Sequence, residues 1–438
     1  MNQVSVGILG CGTVGSGTAR ILIEKKDLIF SRTGVDINLK RIADIDPSRG
    51  EGLPIGQGVM TTDAVSVIED PEIQVIVELI GGKTVARDFM IRAINSGKHV
   101  VTANKALLSE LGGEIFPLAQ EKSVDLAYEA SVGGCIPIIK SIRESLVGNT
   151  ISSIRGILNG TCNFILSRMT ADGCGFDDAL SEAQEKGFAE ADPTLDIDGF
   201  DTAHKLAILN AIAYGMNINL DDIYVEGIRD ISAIDIAFAS EFGYTVKLLA
   251  ISRQVNGSVE ARVHPTMISK DNILASVNGS LNAVTISGDC VDKVLLYGHG
   301  AGMMPTASAV VSDIVDVARN IVFGGQGRVP LLSYRPESLS VVPVKPMAEL
   351  QTCYYFRFAA ADRPGVLSRI AGVLGNHNIS IKSVNQRGRR VGGNAPLVML
   401  THRAVEADIR KAVLELAELD CVADKPVVIR VEDENGNL

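Results

Sequence analysis

Five carboxylates, Glu190, Asp192, Asp196, Asp198 and Asp201, crowd into the short stretch that ends at Lys205. No packing requirement calls for that density of acid beside an apolar helical pattern. Such groups carry a desolvation cost unless they are solvated, paired or bound to something cationic, and a substrate ammonium is one cation they would suit. Asp201 and Lys205 stand four apart, which places them on one helical face within reach of each other. The alternative is a solvated acidic loop with an ordinary surface ion pair.

A second lysine, Lys105, follows the apolar run Lys98 to Thr102 and the residues Ala103-Asn104. In open α/β sheets ligands sit at the carboxyl ends of the strands, so topology alone puts Lys105 at a ligand crevice. The other reading is a surface lysine.

Near the N-terminus, the apolar run Val4 to Leu9 lacks alternation, as in a parallel strand buried on both faces. The turn Gly10-Cys11-Gly12-Thr13-Val14-Gly15 and a helical pattern from Val14 to Glu24 follow it directly. Strand, GxGxxG and helix in that order are what a dinucleotide-binding turn requires, with the helix N-terminus attracting the pyrophosphate. A second strand, Leu39 to Ile45, leads into Asp44-Ile45-Asp46-Pro47. Asp44 is the candidate for the ribose hydroxyls, which leans the cofactor toward NAD. The interval from Gly15 is long, however, and Arg49 could instead meet a 2′-phosphate.

Strands at Val75 to Leu79 and Lys98 to Thr102 flank a helix from Arg87 to Ser96, another alternating unit of the doubly wound type. From about Ser131 the pattern changes to alternating strands at Ile151 to Leu158, Val259 to Val263 and Ala283 to Ser287. These predict an antiparallel α+β domain. Tyr297 to Gly302 reads as a second glycine loop, and the apolar helix beginning at Pro305-Thr306 is expected to pack back on the first domain. Three prolines between Ser333 and Pro346 mark a linker. Beyond it the order is βαββαβ, a ferredoxin-like unit with a Gly/Arg loop between its second and third strands and a polar tail from Glu432. The expected division is therefore 1–130, completed by helix 306–325; 131–305; a linker at 333–350; and 351–432.

A chain of 438 residues is too long for one core. Its net charge of -11 and the absence of a basic stripe argue against a nucleic-acid partner. No apolar run reaches membrane-spanning length and no signal-peptide pattern opens the chain. Seven scattered cysteines without a CxxC pair fit buried thiols in a reducing cytoplasm.

With these residues in view, the chain resembles the homoserine dehydrogenases that carry a C-terminal ACT domain, over nearly its whole length. Gly10 to Gly15 matches the cofactor turn, and Thr102-Ala103-Asn104-Lys105 matches the segment of one active-site lysine. Glu129-Ala130-Ser131-Val132-Gly133-Gly134-Cys135-Ile136-Pro137 looks like the sodium loop, which would place the ion at Glu129, Val132, Gly134 and Ile136. Asn159-Gly160-Thr161-Cys162-Asn163 and the acidic stretch are similar to the substrate signature. Gly298 to Gly302 resembles the second glycine loop, bringing Gly300 and Gly302 to the cofactor. Three departures stand out: Phe188 where relatives usually carry tyrosine, His299 for a common proline, and Ile45 for a common basic residue, the last favouring NAD over NADP.

The resemblance implies reversible hydride transfer between NAD or NADP and L-homoserine or L-aspartate 4-semialdehyde. Lys205 would be the general acid/base held by Asp201, and Lys105 would assist. Glu190 and Asp196 would bind the substrate ammonium, while Thr161 and the Gly160 amide meet its other polar groups. It also implies threonine feedback at an ACT edge near Asp362, Gly365 and Val366, although an ACT unit can serve only to dimerise. A homodimer or homotetramer is the expected assembly. The rivals are a dehydrogenase for another small cationic substrate and a binding sensor without catalysis. Retention of Lys105, Asp201 and Lys205 together speaks against the sensor.

Overall fold

The structure is a computed structural model that describes residues 2–386 and 393–432. The Gly/Arg loop expected between the strands that end at Gln386 and begin near Leu397 lies outside those residues, as does the polar tail beyond Glu432. The chain divides into two compact units. One comprises 1–160, 201–223 and 281–342; the other comprises 161–200, 224–280 and 343–438.

In the first unit, six parallel strands, numbered in chain order as Gln3–Leu9, Asp36–Ala43, Met60–Thr61, Val75–Glu78, His99–Thr102 and Leu126–Ala127, run in the order 3-2-1-4-5-6. Gln3–Leu9 lies at the centre, with Asp36–Ala43 on one side and Val75–Glu78 on the other. The continuous apolar runs read from the sequence are buried as expected, with Val4, Val6, Ile8, Val75 and Val77 fully enclosed. Helix Met303–Phe323 lays Val310, Val311, Ile314, Val317 and Ala318 into this same core, the stripe that helical spacing predicts. Each buried Val or Ile among them contributes about 1.5–3 kcal/mol, which holds a distant segment of chain on the sheet. The helix begins earlier than Pro305, at Met303. Tyr297 to His299, read as loop, complete the strand Asp292–His299 because they pair with Leu281–Ala283. Together with Ile151–Ile157 these strands form an antiparallel meander.

The second unit holds the hairpin Tyr244–Val255 and Ser258–Ser269. Ser258–Ser269 then pairs in parallel with Val427–Glu432, the last strand of the ferredoxin-like unit. From there the sheet continues through Gln351–Ala361 and Asn394–Thr401 to Ile381–Gln386. Tyr354, Phe356, Phe358, Met399 and Leu397 face helices Val366–Asn376 and Glu406–Ala417 across an apolar core. The edge at Val427–Glu432 is thus occupied from within the same chain, which sequence patterning did not foresee. The linker is also less free than its prolines suggest: Ser340 bridges Met216, and Val344 bridges Val259.

Among the described residues no helix is long and apolar enough to cross a membrane. All seven cysteines are free thiols, but the expectation that they are buried holds only for Cys11, Cys162, Cys353 and Cys421; Cys135 and Cys174 are half-buried and Cys290 is exposed.

Candidate active site

The glycine turn is shaped by two close approaches. Gly10 has φ +97, and a Cβ there would lie 2.6 Å from the Leu79 carbonyl oxygen. A Cβ on Gly15 would overlap the Gly10 carbonyl oxygen. Gly12 is different, since a Cβ there would meet nothing nearer than Arg49 Nη1 at 3.8 Å. Its bareness leaves room for a ligand in front of helix Thr13–Glu24, whose N-cap it forms. That combination fits a dinucleotide pyrophosphate. Asp44, just beyond strand Asp36–Ala43, is aimed at this turn: its carboxylate accepts from Cys11 N at 2.6 Å and Asp46 N at 2.9 Å. Arg49 Nη1 lies 3.6 Å from it, while the neighbouring Ile45 is 91% exposed.

The other strand ends are tied together. Thr102 donates its hydroxyl to Glu78 Oε2 at 2.7 Å and accepts from Asn104 N at 3.0 Å. Asn104 caps helix Lys105–Glu121 by accepting from Leu107 N at 3.1 Å. Lys105 therefore starts a helix whose first turn is fixed by side-chain hydrogen bonds, the kind of support that gives a reactive group a defined position. Glu78 was not singled out from the sequence, because a lone acid at a strand end carries no pattern.

Lys105 reaches across to Asp201. Its ammonium lies 3.1 Å from Asp201 Oδ1, while Lys205 lies 2.7 Å from Oδ2. Asn159 Nδ2 donates to Oδ2 at 2.8 Å, and Lys205 also donates to the Leu158 carbonyl at 2.6 Å. Asp201 and Lys205 are buried, whereas the Lys105 side chain is 38% exposed. Burial would raise the Asp201 carboxyl, but the charges of Lys205 and Lys105 and the hydrogen bonds from Lys205 and Asn159 outweigh it. They hold Asp201 well below the usual carboxylate range. The expected i,i+4 pair is thus one half of a bridge, one carboxylate between two ammonium groups. The Leu158 carbonyl and Asn159 are contributors that spacing alone could not assign.

In the second unit the acids of the long stretch separate into different roles. Asp192 accepts from Thr194 N, and Asp198 pairs with Arg229. Asp196 Oδ2 accepts from the Thr161 hydroxyl at 3.1 Å, which also donates to the Phe188 carbonyl at 2.6 Å. Glu190 is exposed. Gly160 and Thr161 open helix Gly160–Asp172, so their amides stand at its positive end. The Phe188 ring packs 4.9 Å from that of Phe164 and presents no hydroxyl.

The Glu129 carboxylate accepts from Ile139 N and Lys140 N, both at 2.8 Å, and so caps a short helix of its own unit. Burial and the neighbouring Asp313 push it up to about 7. The loop is joined to the second glycine segment through Cys135 N, which donates to the His299 carbonyl at 3.1 Å. The His299 side chain is exposed, and Gly302, at φ +113, precedes helix Met303–Phe323. In the ferredoxin-like unit, Gly365, at φ +89, precedes helix Val366–Asn376 and Val366 is buried.

A glycine turn at the switch point of a 3-2-1-4-5-6 parallel sheet, with two lysines on a buried carboxylate, defines a nicotinamide-dinucleotide oxidoreductase. Family models agree segment by segment: "Homoserine dehydrogenase, NAD binding domain" over residues 10–129, "Homoserine dehydrogenase" over 137–315 and "ACT domain" over 354–421. The homoserine dehydrogenase of Pseudomonas aeruginosa is 45% identical over 436 residues, spanning 99% of this chain and 100% of that protein. That of Neisseria gonorrhoeae is 43% identical over 99% of both chains. The crystal structure of a homoserine dehydrogenase from Thiobacillus denitrificans matches with a TM-score of 0.93 and 45% identity, over 98% of each chain. A hyperthermophilic archaeal homoserine dehydrogenase in complex with NADPH matches at 0.61 and 30%, over 72% of this chain and 97% of that one.

The chain belongs to the homoserine dehydrogenase family. It is an NAD(P)-dependent oxidoreductase that interconverts L-homoserine and L-aspartate 4-semialdehyde, on the route to threonine, methionine and isoleucine, and it carries a C-terminal ACT domain.

Proposed function

We propose that Lys205 exchanges the proton with the substrate oxygen, that Lys105 assists and polarises the carbonyl, and that Asp201 positions both. The observation that carries this is the single buried carboxylate within 3.1 Å of one lysine and 2.7 Å of the other. A bound nicotinamide supplies or accepts the hydride. The residues around it hold the reacting oxygen and provide the compensating proton, since oxidation releases one and reduction consumes one. Glu190 and Asp196 neutralise the substrate ammonium, with the Gly160 amide and Thr161 meeting its remaining polar groups. Binding the far end of the substrate orients the reacting carbon. An alcohol of the same length without the amino group is therefore expected to lose kcat as well as affinity, as steady-state comparison with L-homoserine would reveal. An unchanged kcat would remove the orienting role.

The turn Gly10, Gly12, Thr13, Val14 and Gly15 cradles the dinucleotide, with Thr102, Lys105, Gly300 and Gly302 around its nicotinamide end. Asp44 beside an exposed Ile45 favours NAD, because a carboxylate suits ribose hydroxyls and repels a 2′-phosphate. Asp44→Ala is expected to lower the ratio of kcat/KM for NAD to that for NADP by about tenfold, the effect of losing roughly 1.4 kcal/mol of discrimination. An unchanged ratio would pass the choice to Arg49. Sodium is held in the 129–137 loop by Glu129 with backbone carbonyls at Val132, Gly134 and Ile136, and has a structural role.

The three-part division at 130, 305 and 351, a homodimeric or homotetrameric assembly and a cytoplasmic setting complete the reading. Feedback by an amino acid such as threonine acts through the ACT domain. Asp362, Gly365 and Val366 are one candidate location for it.

A further inference from the structure

Helix Phe200–Tyr214 carries a second titratable side chain beside its buried ion pair. His204 stands three residues after Asp201, and so on the same helical face, and it is buried. Its Nε2 lies 3.6 Å from Glu110 Oε1, on the helix that Lys105 begins. Lys83 in turn pairs with Glu110 Oε2 at 2.7 Å. Side-chain exposure rises along this row, from 8% at Asp201 and 9% at His204 to 30% at Glu110 and 51% at Lys83. The row leads from the two lysines to bulk water, and all of it lies within the first unit.

Burial holds the His204 imidazole below its ordinary value; Glu110 and Asp201 pull it up, and Lys105 and Lys83 push it down. The ring is therefore neutral in the working range and able to take a proton. Lys205, by contrast, is buried, with Asp201 and the Leu158 carbonyl already on its ammonium, so a proton it takes from substrate does not pass straight to water. The exposed part of Lys105 is the part that a bound dinucleotide and substrate would cover. With that face occupied, the imidazole is the polar group left on the way out.

We infer that His204 and Glu110 relay the proton between the paired lysines and solvent, and that His204 acts through Lys105 rather than on the substrate. The relay rests on the reading of Lys205 and Lys105 as the proton-exchanging pair. During oxidation the neutral Lys205 amine takes the hydroxyl proton as the hydride leaves. The Lys105 ammonium gives a proton to the His204 ring and is restored by one passed from Lys205 across Asp201. The imidazolium then loses its proton to the Glu110 carboxylate, which gives it to water. A small rotation of the partly exposed Glu110 side chain brings the 3.6 Å separation to hydrogen-bond length. Each group ends as it began, and reduction runs the same steps in reverse.

The test is a single turnover of the full chain with L-homoserine in weak buffer, with enzyme in excess over the dinucleotide. Nicotinamide absorbance reports the hydride and a pH-indicator dye reports the released proton. The two signals should coincide in the wild type. In His204→Gln the hydride signal should keep its rate while the proton signal lags behind it, and kcat should fall by about 10²-fold, the lower end of what a positioned acid/base contributes. Glu110→Gln leaves the ring in place and should also show the lag. In His204→Ala, added imidazole should shorten the lag, which a purely structural role for the side chain would not allow. Coincident signals in both glutamine variants, or a lag in His204→Ala that imidazole does not change, would overturn the relay. Lys205→Ala keeps the two readings apart. Loss of its hydride signal with no lag in His204→Gln overturns the relay alone. A hydride signal retained in Lys205→Ala overturns the acid/base assignment, and a lag in His204→Gln would then show the relay draining Lys105.

Discussion

Lys205→Ala is expected to lower kcat for homoserine oxidation by about 10²–10⁴-fold, the usual contribution of a positioned acid/base, with dinucleotide binding retained. The side chain is buried and its ammonium is fixed by Asp201 Oδ2 and the Leu158 carbonyl. Two of its three N–H directions are thus committed to the protein, leaving one donor direction for a substrate oxygen. Lys205→Arg should be nearly as inactive, because a guanidinium does not give up its proton in the working range and its fork does not fit a site built around one point charge. The fold should survive the alanine change, since Asp201 keeps Lys105 and Asn159 as partners. Stopped-flow absorbance with homoserine would separate the chemical step from product release. If Lys205→Ala turned over like wild type while Lys105→Ala did not, the two roles would be exchanged.

How much of this was readable in advance depended on the range of each interaction. The βαβ order around Gly10 to Gly15 and the βαββαβ order after Tyr354 follow from hydrophobic period and turn residues, which are local, and both stand in the structure. The Asp201–Lys205 contact is equally local, one helical turn. The Lys105–Asp201 contact joins residues far apart in the chain, one just past a parallel strand and the other on helix Phe200–Tyr214, and no local pattern places it. Asn159 and the Leu158 carbonyl belong to the same class: a backbone oxygen has no sequence signature at all. Tyr297 to His299 read as loop because of their glycine, yet hydrogen bonds to Leu281–Ala283 extend the strand through them. A carboxylate beside a glycine-rich turn invites a cation reading of Glu129, and the Ile139 and Lys140 amides that also reach its oxygens carry no side-chain signature that could have announced them. The acidic stretch was conspicuous as a group, while its partition into the Asp198–Arg229 pair, the Asp192 turn and the Thr161–Asp196 contact required coordinates.

Asp201→Asn is expected to be the most damaging single change for stability and to remove activity as well. It leaves two ammonium groups facing an amide where a shared carboxylate stood, and removing one member of a buried ionic cluster costs about 3–5 kcal/mol. A fall of several degrees in Tm follows, read on the transition of the unit that contains residue 201. The pH dependence has a definite sign. The folded carboxyl is depressed, so its stabilisation is fully present above the unfolded value of about 3.9 and is lost as pH falls through the folded value. The gap in Tm between wild type and Asp201→Asn should therefore stay constant from about pH 5 to 8 and narrow only in stronger acid. Adding Lys205→Met to Asp201→Asn should recover part of the lost stability, because an apolar chain replaces an unpaired buried charge, and should recover none of the activity. A wild-type Tm for Asp201→Asn would mean that the three charges do not share a buried site. A normal Tm deficit with full activity would separate the bridge from the chemistry and leave it a structural role alone.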